Sequence, residues 1–250
     1  MRIERERVTS DAGFPPWIRH EHDARYRFAA ERAGGRVVVD CACGDGTCAR
    51  IIGDRARTVD GFDLSESTIE SARSTTAGGN VRFAAADATA LPVPDDFAEL
   101  YVSLETIEHL PDQEAFLREV VRVLKHGGEL VCSTPDRDVY SPGNSLHSRP
   151  WNRFHVRELT QVELVKLLSR YFEVVDLFGQ NPKSPGLVDL RVAVGQRLPS
   201  HLMVRINQAL KLPRYLYDRP DRHLVLPASE SRRYEILIAV CRRPRQMLRG

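Results

Sequence analysis

The chain predicts an α/β fold: a doubly wound, seven-stranded, mostly parallel sheet with helices on both faces and an insertion between strands six and seven. Three observations predict it. Short apolar runs alternate with segments of helical period along most of the chain. The first of those runs, VVVD (37–40), leads directly into a glycine loop, CACGDGT, that opens a helix. Several later runs also end in a carboxylate. Strands and helices alternating at this spacing imply parallel strands covered on both faces.

Taken in order, residues 1–16 read as a flexible N-terminus ending in GFPP, and 17–33 as a leading helix with apolar spacing at Trp17, Tyr26, Phe28 and Ala29. RVVVD is strand one and TCARIIGDRA the helix after the loop. TVDGFDLS, ESTIESARSTT and NVRFAAADA give strand two, a helix and strand three. Strand four spans Leu100 to Leu104, and DQEAFLREVVRVLKHGG reads as an amphipathic helix stopped by Gly127 and Gly128. ELVCSTP is strand five, VRELTQVELVKLLSRYF a helix, FEVVDLFG strand six and RYEILIAVCRR strand seven. Residues 17–179 and 232–250 thus form one domain. The proline-studded segment 180–231, with a helix expected in SHLMVRINQALKL, is an insertion whose candidate roles are lid, dimer contact or substrate selector.

Composition excludes several classes. Of 250 residues, 36 are Lys or Arg and 34 Asp or Glu, so the net charge of +2 offers no electrostatic footprint for nucleic acid. No apolar run reaches the length of a membrane span and no signal-like segment follows the charged N-terminus, which points to a cytoplasmic protein. Five cysteines, three of them in the glycine loop, raise the question of a thiol metal or redox site. C-x-C-x₄-C lacks the paired spacing of zinc sites and no second ligand pair accompanies it, so no metal is expected there.

In an open parallel sheet, ligands bind at the carboxyl ends of the strands. Asp40, Gly44, Asp45 and Gly46 follow strand one, Asp63 strand two, Asp87 strand three, and Glu105, Glu108 and His109 strand four. Glycines let the backbone approach a ligand at a helix N-terminus. A carboxylate about twenty residues past the loop suits ribose hydroxyls, and Asp87 suits an exocyclic amine. Together they describe a pocket for an adenosine-bearing cofactor with a small charged tail.

VVVDCACGDGT, VDGFDLSESTIESAR, VRFAAADATALPVPDD, LETIEHLPD and LKHGGELVCSTP follow the order and spacing of class I S-adenosylmethionine-dependent methyltransferases, which the chain resembles over about residues 20–180 and its last strand. The resemblance implies a Rossmann-like methyltransferase fold and S-adenosylmethionine as cofactor, released as S-adenosylhomocysteine. It also implies that Asp40 and the backbone at Cys41, Cys43 and Gly44 bound the methionine portion and that Asp63 holds the ribose with Leu64 against the adenine. Asp87 and the Ala88 backbone would read the adenine amine, with Leu104 and Glu105 beneath the transferring methyl group. HEHDARYRF resembles the segment before strand one in small-molecule and sugar methyltransferases, which would set Arg25 on the cofactor carboxylate and Tyr26 over its methionine end. One departure is Ala42, where the family loop has its first glycine; alanine fits if its φ is negative.

A sulfonium already activates its methyl group, leaving the protein to align the acceptor, exclude water and dispose of a proton. Glu105, His109 and His155 are the candidate catalytic groups. Tyr140, His147, Trp151 and His155, in a polar aromatic loop after strand five, join Glu105 and His109 as candidate acceptor contacts. The expected acceptor is a sugar-like small molecule, an amino sugar or glycoside of secondary metabolism such as aminoglycoside assembly, methylated on nitrogen or oxygen. Glu105, Glu108 and Asp138 would attract a cationic amine. Two other readings are a nicotinamide-binding oxidoreductase, since GDGTCA matches G-x-G-x-x-A, and a methyltransferase fold acting only as a binding module. Against the first, Gly44 lies too far past the strand.

Overall fold

The computed structural model describes residues 16–75, 79–199, 202–203, 205, 224–228 and 232–245. The expected flexible segment, apart from Pro16, and most of the helix expected in 200–212 lie outside the described residues. Elements run α1 (Pro16–Ala30), β1 (Val37–Cys41), α2 (Ala49–Gly53), β2 (Thr58–Asp63), α3 (Glu66–Thr75), β3 (Val81–Ala85) and β4 (Ala98–Leu104). A short 3₁₀ turn (Ile107–His109) then precedes α4 (Gln113–Val123), β5 (Leu124–Pro135), α5 (Arg137–Tyr140), α6 (Gln161–Leu168), β6 (Phe172–Lys183), α7 (Pro185–Gly195), β7 (Leu226–Pro227) and β8 (Arg233–Pro244).

They form one sheet of order β3-β2-β1-β4-β5-β8-β6-β7. β3, β2, β1, β4 and β5 pair in parallel, whereas β8 runs antiparallel to both β5 and β6. The eighth strand, absent from the sequence reading, is the two-residue β7 paired with Phe178 and Gly179. This is the α/β Rossmann-like methyltransferase fold, and its order reverses between β1 and β4.

Apolar residues of the central strands serve both faces in alternation. Val39, Tyr101, Leu130, Cys132 and Ala239 pack with Phe116, Leu117 and Val120 of α4 and Leu164 and Leu168 of α6. Val38, Leu100, Val102, Val131 and Ile238 pack on the other face with Ala29 of α1, Ile52 of α2 and Ile69 of α3. Burial on both sides explains why these strands read as unbroken apolar runs.

Two boundaries differ from the sequence reading. α4 ends at Val123, not at the paired glycines, because Leu124 is already extended and pairs with Ala98. The register then jumps, so that Leu100 meets Glu129 and Lys125 to Gly128 are accommodated as an irregularity in the ladder. β6 continues through Lys183, with Gln180 opposite Ile236 and Lys183 opposite Arg233, so the first four residues assigned to the insertion belong to the sheet.

Candidate active site

The loop after β1 turns through three left-handed residues, Ala42 (φ 64°), Gly44 (φ 59°) and Gly46 (φ 72°). The two glycines have different reasons. A Cβ on Gly46 would stand 2.4 Å from the Phe83 ring, whereas one on Gly44 would meet nothing within 4 Å, so the Gly44 backbone borders open space. Ala42 does not take the negative φ under which alanine fits the loop. It occupies the left-handed region, at a cost of about 1–2 kcal/mol relative to a relaxed alanine.

Asp63, buried at the end of β2, ties that strand to the loop: its carboxylate accepts from Gly44 N at 3.3 Å and Ser65 N at 2.9 Å. Leu64 beside it is 70% exposed despite its size, a surface suited to a flat apolar ligand. Asp87 is also exposed, and Thr89 donates to it from its backbone and its hydroxyl, holding the acid below the usual carboxylate range. Ala88 packs against the α4 face. This stretch is secured by a residue the sequence reading missed: Arg122 of α4 donates to the carbonyls of Leu91 and Val93 and to Asp95 and Glu119, while Glu119 accepts from Leu91 N.

Asp40 is fully buried at the end of β1. Its Oδ1 accepts from the Tyr26 hydroxyl at 3.3 Å and its Oδ2 has no partner. Burial, reinforced by the Asp63 charge and opposed by the Tyr26 bond, pushes its pKa to about 7. Tyr26 thus supports the acid, whereas its neighbour Arg25 points elsewhere. The Arg25 guanidinium is buried and donates to Gln180 on β6, a strand separated from β1 by β4, β5 and β8. The structure does not bring Arg25 to the glycine loop.

The loop cysteines form no cluster. Cys41 packs on the α4 face of the sheet, while Cys43 and Cys48 pack on the opposite face. Burial raises all three thiols, Cys41 and Cys48 to about 12, which makes them weak nucleophiles at neutral pH.

Leu104 is buried at the end of β4, and Glu105 follows it with φ 53°, a left-handed non-glycine at the sheet edge. Ser133 fixes that geometry, its hydroxyl donating to Glu105 Oε1 at 2.7 Å and its carbonyl accepting from Glu105 N. Three residues on, Glu108 is buried and accepts from the Thr134 hydroxyl; burial and the nearby Glu105 charge raise its pKa well above normal. The Glu108 carbonyl also accepts from Val156 N and Arg157 N, which draws the 152–158 loop onto the turn at 107–109. Buried Gln113, another residue the sequence reading missed, strengthens the junction by donating to the carbonyls of Ile107 and Arg157.

In consequence His109 and His155, 46 residues apart in sequence, stack edge to face with centroids 5.0 Å apart, and the Tyr140 ring lies 6.3 Å from His155. His155 Nδ1 lies 2.6 Å from Glu158 Oε1 and its Nε2 2.9 Å from Asn152 Nδ2. His147, in the same loop, is exposed and Trp151 half-buried. Asp138, half-buried after β5, has its carboxyl raised by burial against the opposing charges of Arg137 and Arg233.

Residues 39–132, less than half of the chain, match the family described as a methyltransferase domain. A Mycolicibacterium smegmatis protein named a probable S-adenosylmethionine-dependent methyltransferase is 40% identical over 164 residues, 65% of this chain and 62% of its own length. A Pseudomonas fluorescens ubiquinone biosynthesis O-methyltransferase is 32% identical over 120 residues, 46% of this chain and 51% of its own. The chain therefore spans about three fifths or less of these relatives. Among solved structures, YcgJ from Bacillus subtilis aligns with TM-score 0.58 at 18% identity over 89% of this chain and 98% of its own. The [4+2]-cyclase SpnF aligns with TM-score 0.57 at 20% identity over 89% and 81%. Likenesses this distant show the fold alone, and one of these two neighbours is named for cyclisation.

In fold, in the matched 39–132 segment and in its relatives, the chain is similar to class I S-adenosylmethionine-dependent methyltransferases, and the cofactor that this likeness implies is S-adenosylmethionine. The residues present fit it: open space over the Gly44 backbone, an exposed apolar Leu64, and a buried Asp40 oxygen without a partner. Among the described residues no helix is long and apolar enough to cross a membrane.

Proposed function

We propose that this chain transfers a methyl group from S-adenosylmethionine to a hydroxyl of a small molecule. The observation that carries the reading is the Gly44 backbone bordering open space, tied to Asp63 and flanked by Leu64 and Asp87 at the carboxyl ends of β1 to β3. When bound, the cofactor would supply an activated methyl group. Asp63 would accept from its ribose hydroxyls, Asp87 from its adenine amine with Ala88 alongside, and Leu64 would cover the base. Asp40, steadied by Tyr26, would face the methionine portion near Cys41, with Leu104 beneath it.

Glu105, His109 and His155 would then orient the acceptor and take its proton, with Tyr140 and Trp151 along the approach and His147 at the rim. A hydroxyl needs such a base, whereas an amine needs only to arrive neutral. A titratable group placed beyond β4 therefore favours oxygen as the acceptor atom, in keeping with the O-methyltransferase among the relatives. A sugar-like acceptor remains the proposal from the leading helix and the loop after β5. The Mycolicibacterium and Pseudomonas relatives are not named for antibiotic biosynthesis. Residues 184–231, apart from β7, would serve as lid, dimer contact or substrate selector. The test is mass spectrometry of the chain with methyl-labelled cofactor and a panel of glycosides, amino sugars, phenols and quinols. Label in a hydroxyl-bearing acceptor supports the reading; label confined to amines, or none in any class, refutes oxygen transfer.

A further inference from the structure

Glu108, His109 and His155 each offer one ligand atom, and the three atoms lie within 4.8 Å of one another. From this convergence and from what holds the rings, we infer that the three residues form a site for a divalent first-row cation such as zinc or cobalt. The donor set, two imidazoles and one carboxylate, suits those ions better than magnesium or calcium, which prefer all-oxygen shells.

The second observation is the outer layer of contacts. His155 Nδ1 lies 2.6 Å from Glu158, a carboxylate buried with it, and His109 Nδ1 lies 3.0 Å from the Phe154 carbonyl. Ligating histidines characteristically donate one ring N–H to a carboxylate or carbonyl, which fixes the tautomer and makes the other nitrogen the ligand. Both rings are so arranged, and His109 Nε2 already faces Glu108 Oε1 at 3.8 Å. Glu108 is in turn oriented by the Thr134 hydroxyl. Ligand bonds of about 2.1 Å place neighbouring ligand atoms about 3–3.5 Å apart, so the three groups need close only modestly. Asn152 Nδ2, 2.9 Å from His155 Nε2, is the group a cation would displace.

The cluster differs from the thiol loop in that its donors are imidazoles and a carboxylate brought together by tertiary contacts rather than by local spacing. The site's existence is independent of methyl transfer. Only its role, lowering the pKa of an acceptor hydroxyl whose proton Glu105 would then take in place of the two ligating histidines, rests on the proposed function.

The full chain, stripped with chelator, is titrated with Co²⁺ alone and followed by visible absorption and calorimetry, without cofactor or acceptor. Saturable binding of one ion per chain with ligand-field bands is expected. His109→Ala and His155→Ala should each weaken binding tenfold or more, while His126→Ala, an exposed histidine at the opposite edge, should match the parent. His109 is partly exposed, so its variant keeps the test valid even if His155→Ala fails to fold. No saturable binding, or binding that survives His109→Ala unchanged, overturns the site. Calorimetry of the same stripped protein with S-adenosylmethionine tells a missing metal site apart from a missing cofactor site.

Discussion

The carboxyl ends of β1, β2 and β3 and those of β4 and β5 lie on one sheet edge yet are constructed differently. In the first region the strands are five or six residues long, strictly parallel, and closed by a loop in which backbone geometry does the positioning: Gly44 and Gly46 at positive φ, and Asp63 bonded to main-chain N–H groups. In the second, twelve-residue strands β5 and β8 pair antiparallel, and buried ionisable side chains from two segments distant in sequence, Glu108 and the local pair His155 and Glu158, are drawn together by the long-range bonds to the Glu108 carbonyl. A cofactor common to many enzymes can be held by a fixed backbone cradle, whereas an acceptor must be read by side chains that vary. The difference teaches where specificity is expected to reside.

Substitutions can break this contrast. The largest effect is expected at the cradle: Gly46→Ala drives a methyl into Phe83 and strains φ, and should cost about 2–4 kcal/mol of stability in denaturant melts. Asp40→Asn should separate from the parent with pH. The folded-state pKa of Asp40, about 7, lies above the ordinary carboxylate value, so its contribution is full below about pH 4 and lost as pH rises through 7. Urea midpoints of the two proteins should therefore agree near pH 4 and diverge by pH 8 in favour of asparagine; parallel curves would mean that Asp40 ionises normally. Asp63→Ala should raise the cofactor Kd about tenfold, on the order of 1–3 kcal/mol for a lost charged hydrogen-bond partner. An unchanged Kd would show the cradle misplaced. The smallest effect is a gain: Ala42→Gly relieves a left-handed alanine and should stabilise by up to about 1 kcal/mol, read as a higher urea midpoint.

The same contrast governs what was legible in the sequence. β1 to β4 and the glycine loop rest on local pattern, so their places could be read from apolar runs, glycines and terminal acids. The end of α4 could not, because Leu124 and Lys125 continue a helical pattern and only pairing with Ala98 pulls Leu124 into the sheet. Gln113 and Arg122 carried no signal, since on a helix they look like solvated polar residues until the partners they reach are known. Arg25 was readable as functional only through resemblance, and it faces β6 instead. His109 and His155 could be named as candidates, but their meeting depends on the Glu108 carbonyl holding the 152–158 loop.

The central claim is that the carboxyl ends of β1 to β3 form a cradle for S-adenosylmethionine. Titration calorimetry of the chain with S-adenosylmethionine, and separately with NAD, tests it most directly. Saturable binding of one S-adenosylmethionine per chain, without heat from NAD, is predicted. Absence of S-adenosylmethionine binding at millimolar ligand, or preference for NAD, would contradict it.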